Sequence, residues 1–332
     1  MSAANWLSGL NLRLPFTNIS RRSPSRARRQ ASFRPDVSAE VSQLEDRVMM
    51  AADLLSFDGY DWSPNYRDNL AGTGWYSSGQ QWVPQNATAN ASGLHLFLNT
   101  ATIDNSTQLS SSEVSLVKKD GADKPLGFGT YLVAVHHEGG FNALANNPTV
   151  VFGAFLYQKD ADSNDTLNPQ HELDMIEASR FGPYDKGGWQ GDPTNAQFTL
   201  QDFTKLPGHG GDLAPHDNLN VHRFILNDDQ NITLVMHYDA AGMPVTFDQY
   251  YGIHDLAEVK RMKPAITWTS GTDGTTEQNT EQNMLIPGAG DQTVHFNLWR
   301  QPPMGDNDPN VHNDEVTIKR FQFEKVGTTH KR

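Results

Sequence analysis

Three carboxylates, Glu172, Asp174 and Glu177, lie within six residues of an otherwise apolar stretch. The residues between them are leucine, methionine and isoleucine, which are typical of a buried strand face, whereas a solvated acidic run has polar or turn-forming neighbours. Carboxylates paired across a cleft are the groups that glycoside hydrolysis requires. On this pattern alone, an acidic edge strand or a cation site is the alternative interpretation.

The spacing of these acids sets a condition on the strand. Side chains alternate faces along an extended strand, so Glu172 and Asp174 share a face and Glu177 should lie on the other. One β-bulge at Met175 or Ile176 would return Glu177 to the face of Glu172, and bulges are common beside active sites. The two glutamate Cα atoms would then lie about 13 Å apart, and long side chains can lean together to the roughly 5 Å carboxyl separation of a retaining glycosidase. The sequence therefore predicts a bulged strand whose three acids face one cleft, with the apolar residues turned into the core.

The elements around this stretch are mostly short apolar segments separated by turn residues. Helical spacing of apolar residues occurs only between Asp255 and Lys263, which predicts one short helix. The pattern predicts an all-β fold of two antiparallel sheets in a single domain, residues 53–328, after a leader of residues 1–52. Besides the acidic stretch, we expect strands at residues 93–98, 112–117, 127–135, 149–157, 195–202, 221–226, 232–238, 294–299 and 315–323.

Charge is divided unequally along the chain. Of 26 Lys+Arg and 39 Asp+Glu, residues 1–47 hold eight arginines and four acids, which leaves 18 basic and 35 acidic residues, a net charge of about −17, for the rest. Nucleic acid and an anionic membrane surface would both be repelled by such a body, whereas a neutral polysaccharide would not. The basic N-terminal tract lacks interleaved aromatic residues, so we interpret it as a leader rather than a nucleic-acid-binding segment.

Cysteine is absent, which excludes a disulfide framework, a thiolate metal site and a cysteine nucleophile. The 12 histidines form no HxxxH pattern, so we expect no catalytic metal and no cofactor, and a structural calcium at a loop stays open. No run of 18 apolar residues is present, so no transmembrane segment is predicted. We expect a monomer.

The leader contains the stretch 44–52, LEDRVMMAA, which resembles the Leu-Glu-Pro-Arg type element near the N-termini of many planctomycete surface and secreted proteins. Asp46 stands where that element usually has proline. The resemblance implies export, and so a secreted or cell-surface protein.

The acidic stretch, with its Glu-x-Asp-x-x-Glu spacing, resembles the bulged catalytic motif of glycoside hydrolase family 16, the laminarinase, lichenase and carrageenase group. Flanking segments share the resemblance: residues 127–135 are similar to the family's GxGxYxxxV strand, and residues 294–299 to its NLW strand. Residues 221–226 and 232–238 look like a hairpin of the family. The resemblance spans roughly residues 57–325. It implies a concanavalin A-like jelly roll with a concave substrate cleft, and a retaining, endo-acting glycosidase that hydrolyses O-glycosyl bonds of a β-linked polysaccharide.

The resemblance also implies roles for individual residues. Glu172 would be the nucleophile and Glu177 the acid/base, with Asp174 between them. Asp174 can hydrogen-bond Glu172, and the proximity of three acids should keep Glu177 protonated near neutral pH. Substrate contacts are expected from Glu113, Phe155, Asn297 and Trp299 by resemblance, from Gln197 and Gln201 as amides on one strand face, from Trp75 as a loop aromatic and from Arg180 beside the motif.

Two positions depart from the family. Ser115 stands where its enzymes often have an arginine, and Phe181 is not the residue expected beside the cleft. A non-catalytic, lectin-like carbohydrate-binding protein on the same sandwich is therefore the competing hypothesis. Few cations accompany the cleft-forming segments, which favours a neutral β-glucan over a sulfated glycan as substrate. The loops that select the polysaccharide and its linkage carry no further signal.

Overall fold

A computed structural model describes residues 54–64, 81–103, 106–147, 150–158, 171–179, 194–202, 219–240, 243–270, 292–300 and 312–327. The predicted leader, residues 1–52, lies outside these ranges. Within them the chain is almost entirely β-structure, as the sequence predicted. The strands are β1 Leu55–Phe57, β2 Tyr60–Pro64, β3 Gln81–Trp82, β4 Ala87–Asn90, β5 Gly93–Ile103, β6 Ser106–Val117, β7 Gly129–His136, β8 Val150–Gln158, β9 His171–Ala178, β10 Ala196–Asp202, β11 Leu219–Phe224, β12 Asn231–Tyr238, β13 Thr246–Tyr251, β14 Ile266–Thr269, β15 Thr293–Arg300 and β16 Asp314–Lys325.

These strands form two sheets of an antiparallel sandwich of the jelly-roll type. The front sheet has the order β11-β10-β9-β8-β15-β6-β2, and the back sheet the order β4-β5-β16-β7-β12-β13-β14. The long hairpin of β5 and β6 belongs to both sheets. Near its tip the two strands pair with each other, whereas away from the tip β5 pairs with β16 and β6 pairs with β15. Strand β3 is the exception to the antiparallel rule, since it pairs in parallel with β6.

The core lies between the two sheets and is closed by aromatic residues from both. Phe198 of the front sheet packs against Phe247 and Trp268 of the back sheet, with ring centroids 5.3 and 6.5 Å apart. Trp62 of the front sheet meets Phe321 of the back sheet edge to face at 5.3 Å. All five are buried, and each such side chain contributes about 1.5–3 kcal/mol of transfer free energy. This packing fixes which face of the front sheet is left for a site.

Two short α-helices and one 3₁₀-helix, Pro84–Asn86, complete the described structure. The helix predicted between Asp255 and Lys263 is present as α2, Leu256–Val259, and begins with a capping box between Asp255 and Glu258. Helix α1, Phe141–Asn146, was not predicted. In the described part of the chain, no helix has the length or apolar character to cross a membrane.

One predicted pairing is wrong. Residues 221–226 and 232–238 resembled a hairpin, but β11 pairs with β10 at the edge of the front sheet and β12 pairs with β7 and β13 in the back sheet. The intervening residues 227–230 are exposed and carry the chain from one sheet to the other. Hydrophobic pattern alone cannot distinguish such a crossing from a turn.

Candidate active site

Strand β9 holds the three carboxylates in the middle of the front sheet, between β8 and β10. Asp174 lies opposite Phe155 of β8 and Ile176 lies opposite Ala154, so Met175 has no partner between them. This register shift is a β-bulge, and the pairing with β10 shifts at the same place. The bulge that the spacing predicted is therefore present, and it is centred on Met175.

The bulge sorts the side chains of β9 onto two faces. Leu173, Met175 and Ile176 are at most 1% exposed and belong to the core between the sheets. Their acidic neighbours line a cavity of about 260 Å³ on the outer face of the front sheet. The lining residues of this cavity are Trp82, Glu113, Gly153, Phe155, Tyr157, Glu172, Asp174, Glu177, Asn297 and Trp299.

Cross-strand register arranges these side chains in rows that run perpendicular to the strands. One row contains Gln197, Glu177, Gly153, Asn297 and Glu113, each opposite the next on adjacent strands. Neighbouring strands lie about 4.8 Å apart, so this row crosses the sheet over four inter-strand spacings. A parallel row contains Thr199, Asp174, Phe155, His295 and Ser115.

Glu177 is a carboxyl of the site whose pKa is shifted by its surroundings. Burial raises its pKa, and this effect outweighs hydrogen bonds from Gln197 and Thr199 and the positive charge of Arg223, all of which lower it. Nε2 of Gln197 donates to Oε2 of Glu177, and Oγ1 of Thr199 lies 3.5 Å from the same oxygen. The raised pKa agrees with the expectation of a protonated Glu177, but its largest cause is desolvation rather than the neighbouring acids.

Glu113 lies at the other side of the cavity and is only 2% exposed. Its Oε1 is 3.1 Å from Nδ1 of His295, which is a buried hydrogen-bond contact. The His295 ring stacks on Phe155 at 5.2 Å and meets Tyr157 edge to face at 5.8 Å. These contacts hold an acceptor carboxylate and an aromatic surface in fixed positions beside the acids of β9.

Two tryptophans close one end of the cavity. Trp82, on the parallel strand β3, packs against Trp299 of β15 with ring centroids 6.4 Å apart. Trp82 is 2% exposed, whereas Trp299 is partly exposed. An indole face at this place offers an apolar platform that matches the face of a pyranose ring.

The structure brings together most of the side chains that the sequence nominated. Glu172, Asp174, Glu177, Glu113, Phe155, Asn297 and Trp299 line one cavity, and Gln197 lies directly behind Glu177. Gln201 lies opposite Glu172 by backbone register, while its side chain is outside the described part. Trp75, Arg180 and Phe181 lie outside the described residues.

Four residues of the site were not nominated: Trp82, Gly153, Tyr157 and His295. Tyr157 and His295 carry a usable signal, because each lies two residues from a nominated residue on the same strand and therefore on the same face. Trp82 is buried and also lines the cavity. Across the described ranges, no group of three or more His, Asp or Glu side chains is arranged to hold a metal ion.

Comparison with known proteins identifies structures with a similar course of the backbone. A β-1,3-1,4-glucanase (lichenase) from a mouse hindgut metagenome matches at 12% identity and TM-score 0.47, over 82% of this chain and 99% of that chain. The laminarinase catalytic domain of Thermotoga maritima MSB8 matches at 9% and 0.46, over 83% and 96%. The kappa-carrageenase zobellia_236 of Zobellia galactanivorans matches at 14% and 0.47, over 78% and 87%. No family model and no curated protein matches the sequence. Identities and TM-scores this low carry no inference about function, which therefore depends on the site itself.

Proposed function

We propose that this chain is an endo-acting glycoside hydrolase that cleaves a β-linked polysaccharide with retention of configuration. The observation that supports it best is the bulged strand β9, which directs three carboxylates into one cavity, with burial raising the pKa of Glu177. A pure binding site has little use for three acids on one strand, because sugar hydroxyls are bound as well by neutral amides. The fold alone does not support this proposal, since a sandwich of this type hosts many functions.

In this proposal Glu177 is the general acid and Glu172 the nucleophile. The carboxylate of Glu172 attacks the anomeric carbon while Glu177 transfers its proton to the glycosidic oxygen, and the carbon–oxygen bond to the leaving sugar breaks. Glu177, now ionised, removes a proton from water, which attacks the anomeric carbon and releases Glu172. Asp174, which is 1% exposed, lies between the two glutamates, where its carboxyl can hydrogen-bond Glu172.

The register is compatible with this division of roles. Glu172 lies opposite Tyr157 and Glu177 lies opposite Gly153, four residues apart on β8. The two glutamate Cα atoms are therefore about 13 Å apart. Extended glutamate side chains that lean toward each other can reach the roughly 5 Å carboxyl separation of retaining enzymes.

The remaining lining residues support a neutral glycan as substrate. Among the described residues that line the cavity, four are carboxylates and none is lysine or arginine. A sulfated sugar would be repelled there, whereas hydroxyl groups can donate to the carboxylates and rings can stack on Phe155 and Trp299. We therefore favour a neutral β-glucan, and we propose export on the strength of the N-terminal element.

A glycan panel tests the proposal. Wild-type protein is incubated with β-1,3-, mixed-linkage and sulfated polysaccharides, and released reducing ends are measured together with the anomeric form of the first product by NMR. We expect release from a neutral β-glucan with retention, and a loss of at least about a thousandfold for Glu172→Gln because the nucleophile is gone. Glu138→Gln is the matched control, since the Glu138 side chain is 92% exposed and distant in sequence from the motif.

Three outcomes contradict the proposal. An unchanged rate in Glu172→Gln refutes the nucleophile, and an inverted product refutes the double displacement. Saturable binding of oligosaccharides without release of reducing ends, across the whole panel, supports the competing carbohydrate-binding function. That alternative draws on the tryptophan pair, which would serve a binding module equally well.

A further inference from the structure

Gly153 is a glycine in the interior of a strand, where this residue is unfavourable. Glycine weakens strands because it has no side chain to pack and loses much backbone freedom on folding. Some glycines of this chain have a positive φ that excludes other residues, but Gly153 is not one of them. Its backbone conformation would accept alanine, so the reason for glycine must be space.

The space is taken by Asn297 of the neighbouring strand. A Cβ atom added to Gly153 would lie 2.6 Å from Oδ1 of Asn297 and 3.4 Å from its Cγ. Gly153 and Asn297 are direct partners in the register of β8 and β15. The carboxamide of Asn297 therefore leans across Gly153, from its own strand toward the strand that carries Glu177.

The oxygen of this carboxamide is buried and has no hydrogen-bond partner in the described part of the chain. It occupies the space beside Gly153 that a Cβ atom would fill, so a weak Cα–H···O contact is the interaction open to it. Asn297 as a whole is 9% exposed and lines the cavity. Because the oxygen is turned into the protein, the amino group Nδ2 is the polar end of the carboxamide that can reach the cavity.

The position of that amino group defines what it can bind. It lies in the row between Glu177 and Glu113, with a carboxyl group on each side. A neutral hydroxyl can accept a hydrogen bond from Nδ2 and donate its own hydrogen to the Glu113 carboxylate. A sulfate ester in the same place would accept from Nδ2 but would be repelled by the Glu113 carboxylate.

We propose that Gly153 is a positioning residue, which holds the Asn297 carboxamide over the strand next to Glu177 so that it binds an unsubstituted sugar hydroxyl beside the scissile bond. The substrate half of this statement rests on the proposed glycosidase function. The positioning half does not, because it concerns the arrangement of two side chains. Substrates that carry sulfate or methyl groups on this hydroxyl are expected to be excluded.

A double-mutant cycle tests the proposal with Gly153→Ala, Asn297→Ala and the double variant. In Gly153→Ala the added methyl displaces the carboxamide, and we expect kcat/KM on the cognate glycan to fall by about 10- to 100-fold, as small displacements in active sites do. Asn297→Ala should lose a similar factor. The double variant should lose no more than Asn297→Ala alone, because the clash has no partner left. The melting temperature of Gly153→Ala is measured alongside, and a crystal structure of this variant should show the Asn297 side chain rotated away from residue 153.

Each alternative outcome has a defined meaning. Full activity in Gly153→Ala, or losses that multiply in the double variant, overturns the positioning role. If Gly153→Ala does not fold, the double variant decides, since it should fold and behave like Asn297→Ala. If the wild type cleaves no glycan, the proposed function fails, and an unmoved Asn297 in the structure of Gly153→Ala overturns the positioning role independently.

Discussion

Opposing effects act on the carboxyl group of Glu177, a partly exposed residue that lines the cavity. Burial raises its pKa, while the hydrogen bond from Gln197, the charge of Arg223 and the hydrogen bond from Thr199 lower it. A general acid must be protonated, so activity is lost as the pH rises through this pKa. The polar neighbours therefore set where the basic limb of the pH–rate profile lies.

Replacement of Gln197 by leucine should move that limb to higher pH. Leucine keeps the site dry, so the burial that raises the pKa of Glu177 remains while the largest opposing hydrogen bond is removed. The exchange is tolerable for the fold because Oε1 of Gln197 is buried without a partner among the described residues and its removal relieves that penalty. The measurement is kcat/KM against pH for wild type and variant.

Thr199→Val is the matched control for this prediction. Its hydroxyl lies 3.5 Å from Glu177 and is the smallest of the three effects that lower the pKa. We expect a shift in the same direction that is smaller than that of Gln197→Leu. A limb that moves to lower pH in either variant would contradict the assignment of Glu177 as the acid.

Individual residues of the site were predictable where strand parity determines them. The face shared by Glu172, Asp174 and Glu177 follows from spacing plus one bulge, and Asn297 and Trp299 follow from alternation. Partners across the sheet were not predictable. His295 pairs with Glu113 from 182 residues away, and which two residues meet depends on a register that no local pattern specifies.

Strand β9 is the element on which the site depends, because its bulge decides which face of the sheet each acid occupies. Deletion of Met175 yields the regular Glu-x-Asp-x-Glu spacing, in which alternation alone keeps both glutamates on the cavity side. We expect this variant to retain measurable hydrolysis, with stability lower by roughly 2–4 kcal/mol because a buried side chain is lost. Insertion of one alanine after Ile176 should instead turn Glu177 into the core and abolish activity.

Reducing-end release and urea denaturation of both variants check this prediction. Equal inactivity of two folded variants would show that the bulge does more than set parity. Activity in the insertion variant would show that Glu177 is not needed on the face of Glu172.

Helix α1 was not predictable from the sequence, because it lacks the usual signals of a helix start. It follows Gly140, has no side-chain cap and has no acidic residue in its first turn. Helix α2 has a complete capping box and was predicted.

Strand β16 connects distant parts of the chain, because it pairs with β5 on one side and with β7 on the other. Strand β16 lies between β5 and β7, and its first residue, Asp314, is held by contacts that span the chain. Nε2 of His137 lies 2.8 Å from Oδ1 of Asp314, and Nδ2 of Asn147 donates to Oδ2 at 2.9 Å. Burial alone would raise the pKa of Asp314, but the hydrogen bonds from His137 and Asn147 and the charge of His137 outweigh it and lower the pKa.

Asp314→Asn should therefore destabilise the protein in a pH-dependent way. Both oxygens of Asp314 accept hydrogen bonds, so an amide would direct its NH₂ group at a donor, and loss of this buried pair costs roughly 3 kcal/mol. A carboxyl whose pKa is lowered by folding stabilises above its unfolded pKa of about 4, and this contribution is lost as the pH falls through the folded value. The difference between wild type and variant in the free energy of unfolding by urea should thus be full at pH 7 and shrink below about pH 4.

Glu315→Gln is the matched control. Glu315 also faces a histidine, His95 at 2.6 Å, but the Glu315 side chain is 46% exposed. Exposed pairs contribute at most about 1 kcal/mol. If Glu315→Gln costs as much as Asp314→Asn, or if the cost of Asp314→Asn is the same at both pH values, the buried pair does not anchor β16.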